Sequence, residues 1–199
     1  MLLKRLVIVM NKLNIMIVGV GGQGTLLASK VIGNVALNKS YDVKMSEVHG
    51  MAQRGGSVVT YVKLAEKVYS PIVEKGEADI ILAFEQLEAL RWIEYLKPAG
   101  RLLINNQQID PMPVIIENAK YPDNIIEKLR DKYPNIRVID AFKIAKESGN
   151  IKTVNTVMIG LMARSLDFEK EDWFISIKEM VPEKFIEVNI KAFEAGYNY

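Results

Sequence analysis

The stretch NIMIVGVGGQG, Asn14 to Gly24, decides how the chain is read. Its first half, Asn14 to Val18, is a short apolar run ending at Gly19, the pattern of a central parallel strand covered on both faces. The second half is too rich in glycine to prolong a strand, and after it the hydrophobic period changes. From Gln23 to Leu37, apolar residues fall at Leu27, Ala28, Val31, Ile32, Val35 and Ala36, one broad helical face. A strand, a glycine turn and an amphipathic helix in that order open a doubly wound α/β sheet.

The same alternation continues outward. Asp42 to Glu47 reads as a second strand, and the β-branched run Ser57 to Lys63 as another, leading into a hairpin through Ala65 and Glu66. Ala78 to Phe84 has the profile of a buried strand, Gln86 to Leu96 that of a helix, and Lys97-Pro98-Ala99-Gly100 a stop before the strand Arg101 to Asn105. Pro111 and Pro113 argue for an extended loop. Asn124 to Lys132 reads as helix, Arg137 to Ala141 as a short strand, and Ala141 to Glu147 as a helix closed by Gly149. The end is helical, with apolar stripes at Val154, Val157, Met158, Leu161 and Met162, then at Phe185, Val188, Ala192 and Phe193. The expected fold is α/β: a doubly wound, mostly parallel, Rossmann-like sheet with helices on both faces. Residues 1–13 are an N-terminal extension or a first strand, and 14–199 a single domain. Met10 is an alternative start that would leave 1–9 without a role in the fold.

Composition removes several chemistries. The 199 residues include no cysteine and one histidine, His49, which excludes a disulfide, a cysteine nucleophile, a zinc ribbon, a multi-histidine metal site and a cysteine-ligated iron–sulfur cluster held by this chain alone. With 26 basic and 24 acidic residues the net charge is +2, so neither nucleic acid nor an anionic membrane is implied. Lys4 and Arg5 before Leu6 to Met10 are followed by no small-residue cleavage site, and the longest apolar run, Ile15 to Val20, is far short of the roughly 18 residues of a membrane span. A cytoplasmic protein is expected.

Two segments carry candidate chemistry. Gly19, Gly21, Gly22, Gln23, Gly24 and Thr25 sit between strand and helix, where free amides and the positive end of the helix favour an anion; the alternative is a turn that merely packs closely. A dinucleotide would need an acidic residue at the end of the second strand for its ribose, and Glu47 stands there. The second segment, SEVHGMAQRGG from Ser46 to Gly56, would emerge beside the glycine turn. Within it His49 suits proton transfer near neutral pH, Arg54 suits a phosphate or carboxylate, and Gly55-Gly56 allows close backbone approach; a mobile polar loop is the alternative. No serine lies in a GxSxG elbow. Glu85 and Glu88 are ordinary complements to a helix dipole that could also face the crevice, Asn105 and Asn106 end a strand where ligand could lie, and Asn155 is a cap or a buried hydrogen bond. The Met158 and Met162 stripe belongs to the core or a subunit interface.

Taken together, GVGGQG at Gly19 to Gly24, SEVHGMAQRGGSV at Ser46 to Val58, ADIILAFEQLEALR at Ala78 to Arg91, LKPAGRLLIN at Leu96 to Asn105 and KAFEAGY at Lys191 to Tyr197 resemble the gamma subunit or domain of 2-oxoacid:ferredoxin oxidoreductases, nearest to the beta subunits of the indolepyruvate branch. The resemblance runs from about Asn14 to the carboxyl end. It implies oxidative decarboxylation of a 2-oxoacid, here an arylpyruvate, with coenzyme A taking the acyl group and ferredoxin the electrons. It also implies that thiamine diphosphate and the iron–sulfur clusters belong to a larger companion subunit, that ferredoxin is met only indirectly, and that this chain contacts coenzyme A at most. On that resemblance the glycine turn with Thr25 faces ligand, and Glu47, His49, Met51, Gln53 and Arg54 line the neighbouring crevice or subunit contact, none making bonds. Two other readings stay open: a stand-alone NAD-binding dehydrogenase using Glu47, and a non-catalytic nucleotide-binding or interaction module. The isolated chain is also open to homodimerisation.

Overall fold

The computed structural model describes residues 12–50 and 55–199. Residues 1–11, which hold most of the expected extension, and 51–54 lie outside the described residues. Its centre is β1 (Lys12–Val20), buried from Leu13 onward. Alternation sorts its side chains: Leu13, Ile15 and Ile17 point to one face of the sheet, Met16 and Val18 to the other. Around it six strands run in the order β2 (Asp42–His49), β3 (Ser57–Ala65), β1, β4 (Ala78–Ala83), β5 (Leu96–Asn105), β6 (Ile136–Ile139). Pairing is parallel from β1 through β6 and antiparallel on both sides of β3.

That antiparallel strand corrects two expectations. β1 is central but has one parallel and one antiparallel neighbour. The hairpin through Ala65 and Glu66 does not form: β3 pairs back onto β2, and residues 66–77 carry the chain to β4, parallel to β1. The alternating β-branched run Val58 to Val62 suits either partner, so local pattern could not choose between them.

Helices cover both faces. α1 (Thr25–Asn38), α5 (Ala141–Ser148), α6 (Val154–Ala163), α7 (Lys170–Met180) and α8 (Ile186–Asn198) contribute to one core with Trp173, Phe193 and Met158 fully buried. Each fully buried side chain of this size stabilises the fold by about 1.5–3 kcal/mol. α2 (Gln86–Trp92) and α4 (Ile125–Arg130) close the opposite core through Ala89, Ile125 and Leu129. Since α1 leaves β1 toward one face and α2 leaves β4 toward the other, the chain reverses its winding between two adjacent strands, where doubly wound sheets open a crevice.

Smaller differences have local causes. β5 already begins at Leu96, so Lys97 to Gly100 is strand with a register shift opposite Ala78 and Ile80. Pro111 and Pro113 start a short helix, α3 (Met112–Ile115), because proline is tolerated in a first turn, where no amide donor is needed. β6 stops at Ile139, and Asp140 caps α5, which closes at Gly149. The helical end holds α7 between the two stripes read from the sequence. Met158 and Met162 lie in the core.

Candidate functional site

The chain leaves β1 at Val20 and turns through Gly21 to Gly24. The turn is closed from within by Gln23: its Oε1 accepts from Val20 N at 2.7 Å, and its Nε2 donates to Phe84 O at 3.0 Å and Gln107 Oε1 at 3.2 Å. Gly19 lies within β1 with the Gln23 oxygen against it. Gly24 then starts α1 at φ 81°, a left-handed conformation that a side chain resists, and a Cβ there would stand 2.8 Å from Asn155 Nδ2. Asn155, buried, donates from that nitrogen to Gly24 O at 3.4 Å and accepts from Thr156 N at 2.9 Å. It is the buried hydrogen bond foreseen for it.

α1 carries no side-chain cap and no acidic residue in its first turn, and its first helical bond runs from Ala28 N to Gly24 O. The first-turn amides, Thr25 to Leu27, therefore have no acceptor within the helix and lie at the positive end of its fourteen residues. Beside them the connection between β2 and β3 returns to the glycine turn: Gly21 N donates to Gly56 O at 2.9 Å and Gly55 N to Gly21 O at 3.4 Å. The two sequence segments are thus adjacent. Between them opens a cleft of about 420 Å³, with Gly21, Gly22, Gly24 and Thr25 from the turn, Glu47 and His49 from β2, and Leu26 and Val58 as apolar lining. Glu47 Oε2 accepts from Thr60 Oγ1 at 3.0 Å, and a ring nitrogen of exposed His49 stands 3.0 Å from Gly50 O. Met51, Gln53 and Arg54 lie outside the described residues.

Sheet order bears on the ribose role considered for Glu47. β3 is inserted between β1 and β2, so Glu47 stands two strand spacings, about 10 Å, from β1 in the hydrogen-bonding direction. A ribose clamp requires the neighbouring strand. Glu47 keeps its place in the cleft but not that geometry.

Of the other candidates, Asn105, Glu85 and Glu88 are turned into the fold, while Asn106 stays exposed. Asn105 is fully buried, donating to Phe84 O and Gln107 Oε1 at 3.1 Å each and accepting from Ala141 N at 3.0 Å. Asn106 accepts from Gln86 Nε2 at 2.9 Å. Glu85 and Glu88 do more than complement a dipole. Glu85, buried, caps α2 by accepting from Glu88 N at 2.9 Å and also takes the Tyr121 hydroxyl and Ile109 N; Glu88 takes the Ser57 hydroxyl, Arg91 Nε at 3.1 Å and Trp92 Nε1 at 3.3 Å. Burial and the Glu85 carboxylate hold the Tyr121 phenol well above its ordinary range.

Sequence reasoning missed a second cleft, about 380 Å³, on the other side of the glycine turn. Phe142, Ile151, Lys152 and Gln107 join Gly22 and Gly24 there. The available signal was position: Gln107 and Phe142 follow the carboxyl ends of β5 and β6, the end of the sheet where β1 delivers its turn. A further cleft with Arg101, Arg137 and Arg164 lies at the opposite end of the sheet. Among the described residues no group of three acidic or histidine side chains could hold a metal ion, and no helix is long and apolar enough to cross a membrane.

A doubly wound sheet with one antiparallel strand, an uncapped helix behind a glycine turn, and a polar hairpin closing on that turn define the class of the domain. The family of pyruvate ferredoxin/flavodoxin oxidoreductases matches residues 14–199, and the chain belongs to it. It is 44% identical to the indolepyruvate oxidoreductase subunit IorB of Thermococcus kodakarensis, the match covering 94% of this chain and 95% of that one. The gamma subunit of a keto/oxoacid ferredoxin oxidoreductase from Geobacter sulfurreducens PCA superimposes with a TM-score of 0.70 at 25% identity, over 94% of this chain and 96% of that one. The 2-oxoglutarate:ferredoxin oxidoreductase of Magnetococcus marinus, solved with 2-oxoglutarate, coenzyme A and succinyl-CoA, shares the fold with a TM-score of 0.72 at 17% identity, over 95% of this chain and 31% of that one. The chain is a subunit of an oxidoreductase of the 2-oxoacid ferredoxin class.

Proposed function

We propose that this chain is the small subunit of an arylpyruvate:ferredoxin oxidoreductase, of which indolepyruvate is the expected substrate. The observation that carries the reading is its 44% identity, along nearly the whole chain, to a protein named for indolepyruvate, against 25% to a gamma subunit named for oxoacids in general. The overall reaction takes a 2-oxoacid, coenzyme A and two oxidised ferredoxins to an acyl-CoA, carbon dioxide, a proton and two reduced ferredoxins. With no cysteine in this chain to ligate a cluster, the iron–sulfur chemistry falls to the larger companion, and the family resemblance assigns thiamine diphosphate to that companion as well. Residues 14–199 act as one gamma-type domain, and the complex works in the cytoplasm.

The part assigned to this chain is to complete the assembly and to meet coenzyme A. Its residues suit that ligand: the uncapped start of α1 favours a phosphate, while Leu26 and Val58 offer apolar contact in the same cleft. Glu47 keeps an anion at the turn side of the cleft and is suited to a hydroxyl or amine donor at the other side. Gly21, Gly22, Gly24 and Thr25 face that ligand directly; Gly19 and Gln23 shape the turn. His49 lines the cleft, and the family resemblance assigns Met51, Gln53 and Arg54 a part at the crevice or the companion contact.

Coexpression with the companion, followed by assay of arylpyruvate-dependent and coenzyme A-dependent ferredoxin reduction, tests the reading. Activity only with both chains is expected. Full activity of the companion alone would remove this chain from the reaction.

A further inference from the structure

The excursion between β5 and α4 displays side chains that the fold itself does not use. Met112, Ile115 and Ile116 are 64%, 62% and 55% exposed, and no other five consecutive described residues leave three large apolar side chains open. A loose loop would be free to turn them inward, but this one is held. A single carboxylate oxygen, Glu85 Oε1, accepts from Ile109 N at 3.1 Å and from the Tyr121 hydroxyl, so both ends of the excursion are pinned to one buried side chain. Between them Pro111 and Pro113 restrict the backbone, and Asn118 N and Ala119 N both donate to Pro113 O at 2.9 and 3.0 Å. An ordered, exposed apolar patch marks an interaction surface.

Charge indicates the partner. Residues 107–123 carry Asp110, Glu117 and Asp123 against Lys120, on a chain of net charge +2. A second copy would bring acidic fringe against acidic fringe, which opposes self-association. We propose that the α3 surface docks the companion subunit, seating Met112, Ile115 and Ile116 in an apolar hollow with a basic fringe. The inference rests on the subunit reading above. The excursion starts at Gln107, which is bonded to Gln23, so a companion seated there lies beside the glycine turn.

The test is the affinity of the full chain for the companion. A triple variant, Met112→Ser with Ile115→Ser and Ile116→Ser, alters only exposed side chains, so it should keep the wild-type Tm and lose at least about tenfold in affinity. Asp110→Lys with Glu117→Lys provides a second variant that touches no apolar contact; it should also weaken binding, and added salt should weaken wild-type binding. Tyr121→Phe frees one end of the excursion and should speed hydrogen exchange in 109–121 while lowering affinity. Wild-type affinity in both multiple variants would overturn the proposal, as would loss of self-association with companion binding intact. A wild-type chain that does not bind the companion at all would instead refute the subunit reading, and this surface with it.

Discussion

Gln23 shows how a single side chain in a ligand-like motif can serve the fold. Its three hydrogen bonds join the ends of β1 and β4 to Gln107, and Phe84 O is shared with Asn105. Gln23→Leu should therefore destabilise the isolated chain by about 2–4 kcal/mol, since it leaves Val20 N without its acceptor. Urea unfolding measures this; an unchanged midpoint would mean that the glutamine is available to ligand. Tyr121 gives a pH signature. Its folded phenol titrates above the ordinary value of about 10, so the unfolded chain releases that proton first. Stability is fully present below about pH 10 and falls as pH rises beyond it. Tyr61, raised by burial, adds to the same fall. Alkaline unfolding curves of Tyr121→Phe should decline less steeply than those of the wild type. None of this was legible in the sequence, because Gln107, Phe84, Glu85 and Tyr121 meet only once three strands are side by side.

At the scale of elements, hydrophobic period located most strands and helices, and failed where two partners were equally compatible. The run at β3 announced a strand but not that it would pair backward with β2. Two prolines suggested an extended loop and made a first helical turn. The carboxyl-terminal helices hold the clearest case of sequence without visible reason. A Cβ at Gly160 of α6 would collide with Phe193 O, and one at Gly196 of α8 with Val157 O, so the two helices meet backbone to backbone. Gly160→Ala should cost about 3 kcal/mol or more through overpacking, seen as a lowered denaturant midpoint at unchanged slope. A small cost would mean that the helices can separate without loss. The glycine of the KAFEAGY stretch thus has a packing reason that no single-helix pattern displays.

For the whole molecule, strand order is the deciding quantity. With β3 between β1 and β2, calorimetric titration of the isolated chain with NAD at millimolar concentration should show no binding, and saturable binding lost in Glu47→Ala would revive the dehydrogenase reading. The purified chain alone should show no visible absorption, since the electrons of the proposed reaction pass through the companion; an intrinsic iron–sulfur spectrum would contradict that division.

The sequence by itself determined the α/β class, the strand, turn and helix around Gly19 to Gly24, the family, and the exclusion of thiol chemistry. Those properties are local or compositional: a hydrophobic period, a run of glycines, a residue type that is missing. Tertiary structure alone decided which strand stands beside β1, that Gly21 meets Gly55 and Gly56 across the cleft, and that Gln23, Glu85 and Asn105 brace the fold. It also decided that a proline-bearing excursion is pinned at both ends with its apolar side chains outward. These depend on contacts between residues far apart in the chain, where hydrogen-bond partners and steric limits are set by the neighbours each element acquires.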